Sequence, residues 1–154
     1  MNSDTPGSAV RAGGNPVLRI LTAFPIACFA CALATDLAYA QTADMMWADF
    51  SAWLLAAGIF VGVLAAIVGL VGIMANRRAP EQRPGWPLVI GSLLVLILAF
   101  FDNLVHSRDA WTSVVPWGLA LSAATVIVML ITAWLGSGRV SRRGVGVQYS
   151  GAHQ

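Results

Sequence analysis

Charge is scarce in this chain: 10% of its 154 residues are Asp, Glu, Lys or Arg, against roughly a quarter in an average soluble domain. With 58% hydrophobic residues and a mean hydropathy of +0.75, it could not stay monomeric in water. Lysine is absent and all nine basic residues are arginines. Their placement, described below, accounts for the net charge of +2, so that charge is read as topological and no nucleic-acid partner is expected. Cysteine is limited to Cys28 and Cys31, a C-x-x-C in an apolar segment where a thiolate is costly. Both are read as small packing residues rather than a redox pair. The chain also lacks a nucleotide-binding loop, a serine-histidine-acid set and a metalloprotease motif. With four spans using most of its length, no separate catalytic domain fits, and the chain is not expected to be an enzyme.

What is present is apolar length. A helix rises about 1.5 Å per residue and needs roughly 20 residues to cross the hydrocarbon. Phe50–Asn76 and Ala110–Gly138 are free of charge, while Ile20–Thr35 and Gly85–Phe101 reach full length only by including Asp36 and Asp102. The expected fold is therefore all-α, an integral membrane four-helix bundle with one membrane domain over 15–136 and spans at about 17–40, 50–75, 86–106 and 112–136. Short links, Gln41–Asp49 among them, imply antiparallel neighbours. A flexible head (1–14) and tail (137–154), rich in Gly, Ser and Arg, flank the spans.

Arg11 and Arg19 precede the first span, Arg77, Arg78 and Arg83 lie between the second and third, and Arg139, Arg142 and Arg143 follow the fourth. By the positive-inside rule both termini of this multi-pass chain face the cytoplasm. Asp36, Asp44, Asp49, Asp102 and Asp109 gather at the other side with Arg108. All six tryptophans fall near span ends, as amphipathic rings at headgroup level should. Ala38-Tyr39-Ala40 has the form of a signal-peptidase site, with cleavage before Gln41. The long apolar core and the even helix count favour a retained first span.

Small residues mark packing faces. Gly58, Gly62, Ala65, Gly69 and Gly72 recur every four and three residues in the second span, and Gly118, Ser122, Thr125, Thr132 and Gly136 do so in the fourth. Ala23, Ala27, Ala30 and Ala34 give the first span a similar face. In lipid, close backbone approach supplies the packing energy, so these seams are read as bundle contacts ahead of a homodimer seam. Pro25, Pro87 and Pro116 are placed near span starts, where a missing N–H costs least.

The candidate functional residues lie near the outer ends: Asp36, Asp102, Asn103, His106 and Arg108. Asp102 and His106 are four apart and share a helix face, and Asp36 is at a similar depth on the first span. Intramembrane ionisable groups are functional candidates by default, though near span ends they are also often simply hydrated or hold helices together. Asp36, Asp102 and His106 are suitable metal ligands by type, but their spacing demands no metal, and none is expected. One intramembrane histidine cannot supply two axial haem ligands, so haem b would need a second copy or a partner subunit.

The runs FPIACFACALATDLAY, MMWADFSAWLLAAGIFVGVLAAIVGL, VHSRDAWTSVVPWGLALSAATVIVMLITAWLG and RRGVGV resemble the bacterial membrane proteins of domain-of-unknown-function family 2231, over Asn15 to Val147. The resemblance implies a four-span inner-membrane protein without an established activity, whose matching polar residues here are Asp36, Trp47, Trp53, His106, Arg108, Asp109 and Trp111. Asn15 stands where that pattern often has a histidine, and Gly72 where it often has an acid; both departures weaken a shared metal or haem site.

The function expected is a structural or accessory membrane subunit, without cofactor, whose outer polar cluster and tryptophans contact a partner; its partners are the lipid bilayer and a homo-oligomer or another membrane protein. The alternative is a redox or proton-relay component, with haem or metal at the outer face through His106. Solute transport is less favoured, since no repeat or broken helix is evident. The topology has a direct test in a background lacking Cys28 and Cys31. An impermeant thiol reagent added outside labels Ala43→Cys, and labels Pro80→Cys only once the membrane is opened; the reverse pattern would refute the arginine argument.

Overall fold

The computed structural model describes the backbone of residues 16–75, 85–108 and 114–149, with side chains over 17–75, 85–108 and 114–136. Arg11, Arg77, Arg78, Arg83, Asp109, Trp111 and the side chains of Arg139, Arg142 and Arg143 lie outside the described residues. Among the described residues four helices form: α1 (Pro16–Thr42), α2 (Met45–Ala75), α3 (Trp86–His106) and α4 (Leu119–Tyr149), the last preceded by a kinked turn, Val114–Gly118. All four are long and apolar enough to cross a membrane, the fourth span running Val114–Gly136. The α4 backbone continues to Tyr149, beyond the start expected for the tail at 137.

The first link is tighter than expected. Only Ala43 and Asp44 separate α1 from α2, where the sequence suggested a loop over Gln41–Asp49. Ala43 turns the chain in the left-handed region (φ 54°) and its N–H bonds the Tyr39 carbonyl at 2.8 Å. Asp44 then caps α2 through its side chain, Oδ1 accepting from the Met46 N–H at 3.0 Å. Asp49 therefore lies inside α2, exposed, because a helix can begin in the headgroup region well before the hydrocarbon does. Gly85 caps α3 with Pro87 in its first turn. Pro25 departs from the expected position: it lies within α1, buried, facing Gly62 of α2.

Each helix packs on its neighbours in sequence, α1 mainly on α2 and α3 mainly on α4, and the two pairs join through α2–α3 and α1–α4. Mid-bundle, Phe29, Ala32, Leu55, Val95 and Ala99 form one apolar layer. Nearer the end that carries the α1–α2 link, Tyr39, Ala48 and Val114 form a second. Much of the remaining apolar surface, including Trp53, Phe60 and Trp86, faces outward, as lipid-facing surface does.

The small-residue faces divide. A Cβ on Gly58 would sit 2.6 Å from Cε1 of Phe29, and one on Gly62 would sit 2.7 Å from Cδ2 of Leu96, so this half of the seam is an intramolecular contact. Gly69 and Gly72 meet nothing within 4 Å and take no part in the seam. Ala23, Ala27, Ala30 and Ala34 are likewise exposed, and α1 packs through Pro25, Cys28, Phe29, Ala32, Asp36 and Tyr39 instead. The reason is that α1 must turn Asp36 away from lipid, and that rotation carries its alanine face outward. A tighter contact lies at Gly91, where an added Cβ would sit 2.9 Å from Cβ of Thr132 and closer still to its Oγ1 and Cγ2. Threonine is restricted at χ1, and the Thr132 hydroxyl donates to the Val128 carbonyl at 2.7 Å, which holds it in place. Gly91→Ala should thus lower bundle stability by about 1–3 kcal/mol, while Gly69→Ala should be neutral or stabilising. Thermal unfolding in detergent distinguishes the two, and equal effects would refute the packing assignment.

Candidate functional site

Between the two apolar layers lies a polar one, to which every helix contributes. Asp36 comes from α1, Ser51 from α2, Asp102 and His106 from α3, and Ser122 from α4. Asp36, Ser51 and Asp102 lie about 6–9 Å, four to six residues, inside the ends of α1, α2 and α3, and His106 is the last residue of α3. Its neighbours follow from helical periodicity: Ala32, Leu55 and Ala99 lie one turn to the mid-bundle side, while Tyr39 and Ala48 lie one turn toward the link. Asp36, Ser51 and Asp102 are 0% exposed, as are the side-chain atoms of His106. They are therefore not open to the solvent at the span end.

Asp36 is the hub. Its Oδ1 accepts from Ser51 Oγ at 2.5 Å and lies 2.9 Å from His106 Nε2, and its Oδ2 is 2.5 Å from Ser122 Oγ. Thr35 extends the chain, its hydroxyl 2.7 Å from Ser51 Oγ. Ser122 Oγ also lies 2.6 Å from Asp102 Oδ2, so one hydroxyl bridges two carboxyl groups. His106 Nδ1 is 3.0 Å from the Asp102 carbonyl and 3.1 Å from Asp102 Oδ1.

These distances set a proton inventory. A hydroxyl has one proton to donate and an ionised carboxylate none. Ser122 cannot donate to Asp36 and Asp102 together, so one of its two short contacts is donated by a carboxyl O–H. The Asp102 carbonyl only accepts, which fixes a proton on Nδ1 of His106. The contact between Nε2 and Asp36 Oδ1 then requires one further proton, whichever of the two atoms holds it. Beyond the Nδ1–H, the layer thus holds two protons, which offset two carboxyl groups and leave it uncharged, as a buried group of this kind requires. Asp36, with three donors, suits the anion. Asp102 suits the acid, because its buried Oδ1 has only the His106 Nδ1 nearby, which the Asp102 carbonyl already holds, and an under-satisfied oxygen costs less on a neutral group.

Of the five expected site residues, the structure joins Asp36, Asp102 and His106 and leaves two out. Asn103 is half-buried and takes no part in the layer, being turned about 100° from Asp102 on the same helix. Arg108 lies past the end of α3 with its side chain exposed, where a guanidinium stays hydrated. Ser51 and Ser122 were not recognised as site residues. Ser122 shares a face with Gly118, Thr125 and Thr132 and was read as a packing residue, while Ser51, on a face with Ala48, Leu55, Gly58 and Gly62, was not singled out; each carries a hydroxyl into the core. Cys28 is buried and Cys31 exposed, both free.

Four apolar helices closed around an ionisable layer define a multi-pass membrane protein. The chain belongs to the family described as Predicted membrane protein (DUF2231), which matches residues 14–149. No activity is attached to that family. No curated protein and no solved structure matches the chain.

The layer's contribution is measurable. His106→Leu leaves the Asp36 carboxylate without its cation and should cost about 3–5 kcal/mol, the range for breaking a buried pair, whereas Arg108→Ala should leave the unfolding temperature unchanged. Infrared spectroscopy should also show a protonated-carboxyl band that shifts on deuteration and is lost in Asp102→Asn. Absence of that band from the unmodified chain would refute the proton inventory.

Proposed function

We propose that this chain is a structural or accessory subunit of a bacterial inner membrane, with both termini in the cytoplasm and no reaction of its own. The observation that carries this reading is that the polar layer is closed: Asp36 takes its three partners from the other three helices, and the layer lies beneath Tyr39, Ala48 and Val114. Polar groups turned inward specify how the helices meet. They do not offer a surface to a partner, so a partner protein meets this chain through its apolar and aromatic faces, among them Trp53, Phe60, Trp86 and Trp117. That differs from contact through an outer polar cluster, the arrangement suggested by the sequence.

A second reading, proton relay, is favoured by one observation. Ser122 bridges two carboxyl groups, giving the layer a proton that can pass between Asp36 and Asp102 through a single hydroxyl. The haem form of the redox alternative gains no such support, since both ring nitrogens of His106 face oxygens within the bundle.

Gentle solubilisation of native membranes followed by blue-native electrophoresis tests the accessory reading. The 16.2 kDa chain should migrate in a larger assembly with a second protein in fixed stoichiometry. Migration as an isolated monomer, with proton flux in vesicles that is lost in Ser122→Ala, would replace it with the relay reading.

A further inference from the structure

The polar layer also has the donor set of a metal centre. One ligand atom each from Asp36, Asp102 and His106 can be chosen so that all three lie within 4.8 Å of one another. Bonds of about 2.0–2.2 Å to a tetrahedral ion place ligand atoms ~3.4 Å apart, so closure needs side-chain shifts on the order of an ångström. The backbone need not rearrange.

An independent feature points to a missing ligand. Asp102 Oδ1 is fully buried, lies 3.1 Å from His106 Nδ1 and has no hydrogen-bond partner among the described residues. Its one close polar neighbour, His106 Nδ1, is already held by the Asp102 carbonyl, so this buried oxygen is under-satisfied, and a cation held by that carboxyl supplies what it lacks. The histidine is oriented for the role as well. Its Nδ1–H is held by the Asp102 carbonyl at 3.0 Å, which leaves Nε2 facing Asp36, and a ring nitrogen held by a carbonyl is how metal-binding histidines are commonly aimed. Ser51 and Ser122, each 2.5 Å from an Asp36 oxygen, are placed to orient that carboxylate.

We infer that Asp36, Asp102 and His106 form a binding site for a first-row divalent metal ion of the Zn²⁺ or Mn²⁺ class. An imidazole with two carboxylates suits these ions better than Mg²⁺ or Ca²⁺, which prefer all-oxygen shells. Charge balances: one divalent ion enters and two protons leave, one from the Nε2–Asp36 contact and one from the carboxyl group bonded to Ser122. The layer stays uncharged in both states, so neither state places a net charge in the bundle core. The site goes beyond the accessory role and does not depend on it.

The test uses the full chain purified in mild detergent, stripped of metal, and carrying His153→Ala so that His106 is the remaining histidine. Titration calorimetry with Zn²⁺ and with Mn²⁺, in two buffers of different ionisation enthalpy, should show one ion per chain and the release of about two protons. Asp36→Asn, which keeps the side-chain shape, should weaken binding at least 100-fold, and Ser122→Ala roughly 10- to 100-fold, as expected for an outer-shell partner. Absence of saturable binding, or binding unchanged by Asp36→Asn, would overturn the inference. Should the variants lose their helical circular dichroism, Cu²⁺ paramagnetic resonance on the otherwise unaltered layer still decides. Coupling to one imidazole nitrogen supports the site, and its absence refutes it.

Discussion

The structure depends on keeping one carboxyl group, that of Asp36, away from lipid. It is buried and meets a serine of α2, a histidine of α3 and a serine of α4. Water does not compete for hydrogen bonds at this depth, so an arrangement of the helices that failed to supply these partners would strand an ionisable group in hydrocarbon. Non-directional packing among leucines, valines and alanines has many near-equivalent solutions in a membrane, because lipid tails are as apolar as the side chains. The Asp36 contacts are directional, and few rotations and depths of the four helices satisfy them together. The face that α1 presents is one such consequence: turning Asp36 inward brings Phe29 and Cys28 against Gly58 and sends the alanine stripe to lipid.

The apolar layers on either side of this polar layer serve different ends. Toward mid-bundle, Phe29, Leu55 and Val95 supply close packing, assisted by contacts at Gly58, Gly62 and Gly91 that place helices too near for a further carbon. Toward the link, Tyr39, Ala48 and Val114 cover the polar layer and exclude water, strengthening each of its electrostatic contacts. The two-residue turn at Ala43 and Asp44 helps, since a longer loop would leave α1 and α2 freer to shift against one another. The same dryness and geometry that hold the bundle together gather two carboxyl groups and an imidazole, the groups from which both proton-holding and metal-binding sites are made.

Legibility in the sequence varied with the locality of the signal. The spans were readable because crossing hydrocarbon constrains consecutive residues, and α3 has the bounds expected of it, Trp86–His106. The start of α2 was missed because the absence of charge marks the hydrocarbon rather than the helix, which Asp44 caps and which begins at Met45, five residues before the expected start at Phe50. Within the site, Asp102 and His106 were paired by their four-residue spacing. Asn103 and Arg108 were included with them through nearness in sequence, which says little about facing: one is turned aside and the other lies beyond the helix end. Ser122 was hidden by its size, since a small residue on a buried face serves close packing and hydrogen bonding equally well, and Ser51 lay outside the small-residue faces picked out.

The sequence by itself determined that this chain is a four-span membrane protein, which residues fall near the ends of its spans, and that aspartates and a histidine are carried into the bilayer. Those properties follow from composition and from periodicity along a single helix. Only the tertiary structure decided that Asp36 meets Ser51, His106 and Ser122, with sequence separations of 15, 70 and 86 residues. It also decided that the glycine seam ends after Gly62 and that Gly91 of α3 lies against Thr132 of α4. The physical reason is rotational: a helix in lipid is free to present any face until another helix offers hydrogen bonds to its polar groups. That choice is made by all four helices together.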